Sequence, residues 1–367
     1  MSPRSSALLP DAAQTLLCQA AILNDESARR AWSRWRANGG ALDDLDYPTQ
    51  SVLPQLYQNL TKLGIDDPDI GRLKGAYRRC WFENQRIMHV VRPAISTLHE
   101  AGLQTMLCKG AALIAADGRD PGARPMGDVD VVVAPAEARR ALEVLIDAGY
   151  WPAGRVEPNL ALRVRRSLNL TGPGTDGDRL DLHWSILAGP DPGPGVFDRA
   201  RPVSFLGIPT LAPSPTDSLL SIIDHGTSWH PAPVRWVLDA CFLFSSAGPT
   251  IDWDLFTRRA QAQPLARQVA VSLAELRTDF QVNVPLPVLR ELTRNRGGAL
   301  DRVLWLAQNR HLPHGQRYPH LMSEWRSARA RPYPGGSPGG FVSFLAARLQ
   351  ASRLRELPGR LIRQDQP

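Results

Sequence analysis

The segment Asp128-Val129-Asp130-Val131-Val132-Val133 constrains this chain more than any other. A β-branched run favours a strand over a helix. Side chains alternate across a strand, so Asp128 and Asp130 share one face. Adjacent carboxylates repel, and burying them without a counter-charge is costly. They are either solvated at a strand start or neutralised by a cation. Mg2+ prefers hard oxygen ligands and is usually held by one or two carboxylates plus substrate phosphates.

Around this strand the chain reads as helix, then α/β, then helix. Residues 12–38 carry Leu16, Leu17, Ala20, Leu23, Trp32 and Trp35 at helical spacing, before a break at Asn38-Gly39-Gly40. Residues 49–63 and 68–101 predict two more helices, with Pro93 as the place for a kink. At Gly102 the pattern changes. Residues 103–107 predict a short strand and 111–116 a helix; Pro135 opens a further helix that Gly149 stops. Strands are expected at 162–171 and 179–187, joined by turn residues 172–177. Helices are expected at 215–229, 233–246, 252–263, 266–278 and 286–297, with Thr216 and Asp252 as N-caps. Residues 332–340 read as a flexible linker and 341–356 as a short basic helix. The expected class is α+β, a small mixed sheet with helices flanked by N-terminal and C-terminal helical segments. The expected divisions are 1–101, 102–212, 213–331 and 332–367.

With 43% hydrophobic and 22% charged residues, the chain can build an ordinary core rather than remain disordered. No run reaches the ~18 apolar residues of a membrane span, and the N-terminus lacks a secretory h-region, so a cytoplasmic protein is expected. Cys18, Cys80, Cys108 and Cys241 are too dispersed for a zinc site or a disulfide framework and read as reduced thiols. From Arg326 onward, eight arginines face two acids, which accounts for nearly all of the +7 net charge. Bulk nucleic-acid binding is therefore not favoured. The tail, with Phe341, Phe344, Leu345 and Leu349 at helical spacing, either meets a partner or anionic surface or docks on its own protein.

Three segments add chemistry to the two carboxylates. Lys109-Gly110 lies between a strand and a helix, where backbone N–H groups and an ammonium suit a phosphate. An ordinary turn is the alternative. Arg124 lies on the loop before Asp128, placed to swing over phosphates or simply to face solvent. Leu180-Asp181-Leu182-His183-Trp184 puts a third carboxylate in an apolar strand, with His183 on the same face. Asp181 then either completes a metal site or pairs with an arginine. His183, His225, Arg235 and Asp239 are candidates for the acceptor side of a cleft; packing roles are the alternative for the last three. The literal G-x-G-x-x-G at 172–177 precedes a strand, not a helix, and reads as a turn. The G-x-S-x-G at 335–339 sits in a Pro/Gly stretch with no strand to support it. The ten tryptophans read as core residues.

Lys109-Gly110, the run from Arg124 to Val133 and the run from Leu180 to Trp184 together resemble the uncharacterised nucleotidyltransferase family of the polymerase-β-like superfamily. The resemblance continues through Asp217-Ser218-Leu219-Leu220, His225-Gly226, the run from Arg235 to Asp239, and Asp252-Trp253-Asp254, spanning roughly residues 50–265. It implies a nucleotidyltransferase-type sheet. It implies Asp128, Asp130 and Asp181 as catalytic and metal-binding residues for Mg2+, with two ions as an option. It implies Lys109, Gly110 and Arg124 as nucleotide and phosphate contacts. The implied reaction moves an NMP from an NTP to a hydroxyl of a small-molecule, peptide or protein acceptor. Lys109 stands where the superfamily has a small residue; it either serves phosphate or neutralises the carboxylates. Two other readings stay open: a catalytically degenerate binding or adaptor protein, and a toxin-like transferase acting on RNA 3′ ends.

Overall fold

A computed structural model describes residues 9–174, 177, 179–187, 195–227, 234–262, 266–294, 317–330 and 334–349. The order begins with helices α1 (Ala12–Ile22), α2 (Asp25–Ala37), α3 (Tyr47–Gln50), α4 (Leu53–Lys62) and α5 (Ile70–Glu100). Then come β1 (Thr105–Leu107), α6 (Lys109–Asp117), β2 (Val129–Val133), α7 (Ala138–Asp147), β3 (Trp151–Pro152), α8 (Pro158–Val164), β4 (Ser167–Thr171) and β5 (Leu180–His183). The hairpin β6 (Arg201–Phe205) and β7 (Ile208–Ala212) follows. Helices α9 (Pro215–Gly226), α10 (Arg235–Ala247), α11 (Trp253–Ala262), α12 (Ala266–Asp279) and α13 (Leu286–Arg294) complete the described C-terminal bundle, with α14 (Arg317–Ala330) and α15 (Phe341–Arg348) after them.

The sheet is mixed, in the order β3-β4-β5-β2-β1-β7-β6. Strand β2 is central, antiparallel to β1 and parallel to β5. One sheet face, with Leu107, Val129, Val131, Val133 and Leu182, packs on the apolar sides of α5 and α7. The opposite face carries Met106 and Val132 into a second core. That core joins the N-terminal helices to the C-terminal ones: Leu17, Leu56 and Leu60 share it with Leu219, Val237, Phe256 and Leu273. The α+β expectation holds, and helices distant in sequence close over the same side of the sheet.

Several elements differ from the sequence reading, each for a local reason. The expected first helix is two, because Leu23 is extended and Asn24 precedes the new helix. Helix α5 runs unbroken through Pro93. The expected strand over 162–171 starts only at Ser167, since Glu157 caps α8 by accepting from Asn159 N and Leu160 N (2.9 and 2.6 Å), and Pro158 follows. The β6–β7 hairpin was not expected. Its turn is Leu206-Gly207 with φ of +48° and +87°, the left-handed pair a two-residue hairpin needs. Ser214, not Thr216, caps α9; Thr216 Oγ1 instead accepts from Asp252 N (2.9 Å). Asp252 does cap α11, accepting from Leu255 N (2.9 Å).

The expected linker is docked where it is described: Gly335 N donates to Leu162 O (2.8 Å), and Trp325 Nε1 donates to Gly339 O (3.0 Å). Phe344 and Leu345 of α15 are buried against Val164 and Leu321, so of the two readings of this segment the described part shows docking on the protein itself. Residues 350–356 of the expected basic helix lie outside the described residues. All four cysteines are buried and form no disulfide. No described helix is long and apolar enough to cross a membrane.

Candidate active site

The sheet's pleat builds the site. Asp130 on β2 and Asp181 on β5 are register partners, as are Val132 and His183. Parallel neighbours in register present side chains to the same face. Leu180 and Leu182 go to the α5–α7 core, so Asp181 and His183 face the helical side together with Asp130. The ligating atoms of Asp130, Asp181 and His183 lie within 4.8 Å of one another, and all three residues are buried. Asp128 lies just before β2 and is half-buried.

His183 Nε2 is 2.9 Å from Asp130 Oδ1 and 2.7 Å from Asp181 Oδ2. Burial alone would lower its pKa, but the two carboxylates outweigh this and hold it at about 9. At neutral pH it is an imidazolium. Lys109 Nζ makes a second cationic contact, 2.5 Å from Asp130 Oδ1. Burial works against ionised Asp130, yet these cations drive it far below the carboxylate range. Burial also works against ionised Asp181, and the charge and hydrogen bond of His183 lower it in turn. Asp128 is the exception. Burial, then the charges of Asp130 and Asp181, raises it to about 6. The carboxylate triad is thus partly neutralised by side chains already in the protein.

Two features leave room for an external cation. Asp181 Oδ1 is buried with no hydrogen-bond partner, and Asp128 remains under like-charge repulsion. An orphaned carboxylate oxygen costs stability unless something meets it. The donor set of Asp130 and Asp181 oxygens, with Asp128 at the edge, suits a hard divalent ion. The residues therefore fit Mg2+. The sequence reading placed His183 on the acceptor side; the structure places it inside the acidic cluster.

Lys109 has a positive φ of +49° as the first residue of α6. That conformation costs a non-glycine residue of order 1 kcal/mol. It explains why a small residue suits this place, and why a lysine here signals use of the charge. Gly110 answers a different need. A Cβ there would stand 2.0 Å from Arg124 Nη1 and 2.7 Å from Met126 Sδ. Gly110→Ala is expected to lower stability by about 1–3 kcal/mol, read by urea unfolding. An unchanged midpoint would show that Arg124 moves aside freely.

Arg124 is not on a loop poised to swing. It is buried, and its Nε and Nη2 donate to Asp239 of α10 (3.2 and 2.9 Å). The pair keeps both groups charged: burial opposes ionisation of each, and the partner reverses it. Arg235, four residues before Asp239, donates Nη1 to Pro125 O (3.0 Å). His225 of α9 is held well below the ordinary imidazole range by burial, then by the Lys109 ammonium. His225 and Arg235 thus lie on helices that face the carboxylates, whereas Asp239 is spent on Arg124.

Sequence reasoning missed the residue that shapes the loop. Asn84 of α5 is fully buried. Its Nδ2 donates to Pro121 O (2.6 Å) and Arg124 O (2.7 Å), and its Oδ1 accepts from Met126 N (3.1 Å). Asp120 adds a second anchor, accepting from Tyr77 OH (2.8 Å) and Gly122 N (2.7 Å). The available signal was an amide on the apolar stripe of α5, between Cys80 and Ile87.

Neither a curated protein nor a solved structure matches the chain. A family model described as an uncharacterised nucleotidyltransferase matches residues 48–278, which take in α5, the whole sheet and the helices α9 to α11. With that match over more than half of its length, and Asp130 and Asp181 in register on adjacent parallel strands of a mixed sheet, the chain belongs to this nucleotidyltransferase family of the polymerase-β-like superfamily.

Proposed function

We propose that the protein is a Mg2+-dependent nucleotidyltransferase that moves an NMP from an NTP to a hydroxyl. The observation that carries this reading is Asp181 Oδ1, a buried carboxylate oxygen without a partner beside Asp130. In the reaction, an acceptor oxygen attacks the α-phosphorus in line. A new P–O bond forms, the bond to the β-phosphate oxygen breaks, pyrophosphate leaves, and the acceptor hydroxyl gives up its proton. Such chemistry needs positioning and charge neutralisation more than covalent assistance. Asp130 and Asp181, with Asp128, would hold the ion, which supplies neutralisation of phosphate charge when bound. Lys109 and Arg235 bring cations to the same face. Asn84 and the Arg124–Asp239 pair hold the preceding loop still.

A second reading rests on a specific contact. Lys109 Nζ and His183 Nε2 both meet Asp130 Oδ1, as cations would in a metal-free binding protein. Thermal unfolding with Mg2+ and each of the four NTPs separates the two. A ligand at 100 times its Kd adds about 2.7 kcal/mol. A Mg2+-dependent upward shift with at least one NTP is expected for the wild type. In Lys109→Met that shift should shrink, because a phosphate contact is lost. A Mg2+ shift that instead grows in Lys109→Met, with none from any NTP, identifies the lysine as a substitute for the ion and overturns the enzymatic reading.

A further inference from the structure

The near-neutral charge of the chain before its tail hides a sharp separation. Residues 41–69 hold six aspartates against Lys62. Residues 70–92 hold Arg72, Lys74, Arg78, Arg79, Arg86 and Arg92 against Glu83. These six cations lie on one helix, α5. Arg72 is spent on Asp43 and Asp69, and Arg86 on Glu83. Lys74, Arg78 and Arg79 are exposed and make no ion pair among the described residues; exposed Arg92 meets only the neutral carbonyl of Leu206 (3.1 Å). Between them stand Trp81 and Phe82, 48% and 60% exposed, an unusual place for two large aromatics.

Helical geometry arranges these residues in a stripe. At about 100° per residue, Lys74, Arg78, Trp81, Phe82, Gln85, His89 and Arg92 fall within about 100° of arc and run about 27 Å along the axis. The stripe borders the active-site loop. Tyr77, on its flank, packs so closely on Gly122 that a Cβ there would lie 2.4 Å from its ring, and Asn84 binds the same loop two turns further on.

Uncompensated cations alternating with exposed aromatic faces match the chemistry of a strand that offers phosphates and unstacked bases. An acidic peptide would use the cations but leave Trp81 and Phe82 bare. Duplex DNA keeps its bases stacked away from such a surface, whereas RNA presents single-stranded ends. The geometry points to α5 as a docking track for single-stranded RNA, leading its end toward the carboxylates. As an acceptor assignment this rests on the nucleotidyltransferase reading; as a binding surface it does not.

The test is fluorescence anisotropy with a labelled single-stranded RNA 12-mer of mixed sequence. It is run in EDTA without nucleotide, from 50 to 200 mM KCl. Wild type should bind, and more weakly as salt rises. Lys74→Glu/Arg78→Glu should lose at least tenfold in affinity, with the salt slope falling by about 1.4 for two phosphates. Trp81→Ala/Phe82→Ala should lose about thirtyfold or more with the slope unchanged. Both pairs are exposed, and circular dichroism checks their fold. The Mg2+·NTP thermal shift should be wild-type in both, so failure here is separable from failure of the enzymatic reading. Equal binding of duplex DNA, tighter binding of the same sequence as DNA, equal competition by polyglutamate, or variants that bind like wild type would each overturn the RNA track.

Discussion

Asp130→Asn should lower turnover by more than about a thousandfold, with pyrophosphate release as the readout. Asp130 is the meeting point of the site's two cationic contacts, from Lys109 and His183. It accepts from Lys109, contacts His183, and is the register partner of Asp181. Two like charges about 4 Å apart repel by about 4 kcal/mol at an effective dielectric of 20, so the cluster's charge state is finely set by its members. Asparagine keeps an oxygen for Lys109 and His183 but removes the negative charge that would bind a divalent ion. The fold should survive, with a wild-type circular dichroism spectrum. Asp128 should also ionise more easily, since one of the charges raising it is gone. Turnover within tenfold of wild type would mean that the reaction does not run through this cluster.

The second large effect concerns stability. Asp239→Ala should cost about 3–5 kcal/mol in urea unfolding, because it strands a buried guanidinium. Arg124 is 7% exposed at its side chain and Asp239 5%, so water cannot replace the missing partner. Two more arginines worsen the imbalance. Arg235 lies one turn away, and Arg119 stacks 4.5 Å over the ring of Phe242, its Nε and Nη2 buried without partners. The double variant Arg124→Met/Asp239→Leu should recover much of the loss, since an apolar pair replaces a buried ion pair at little cost. Arg124→Met alone separates two roles. A structural arginine costs several kcal/mol of stability, whereas a phosphate contact would cost nucleotide affinity with the unfolding midpoint intact.

The parts of this molecule legible in sequence were those with a strong local pattern. The β-branched run after Asp128 fixed the central strand, and strand periodicity put Asp181 and His183 on one face. What escaped depends on contacts between distant segments. Nothing near His183 says that it would sit between two carboxylates, because the second belongs to another strand 53 residues away. Arg124 looked like a mobile loop residue because its partner Asp239 is 115 residues on. Gly110 looked like room for a phosphate; the space is taken by that same arginine. The hairpin of β6 and β7 was overlooked although Leu206-Gly207 carried its turn signal, since Pro202 and Pro209 interrupt the alternation.

The core shared by the first and last helices has a consequence during synthesis. Gln19 Nε2 donates to Asp279 O (2.8 Å) across 260 residues of chain. Helices α1 and α4 emerge first from the ribosome, yet Leu17, Leu56 and Leu60 have no complete apolar partner surface until α9 to α12 are made. At roughly 5–20 residues per second that wait is on the order of 10–50 seconds. For that time the newborn chain displays a leucine-rich surface to everything around it.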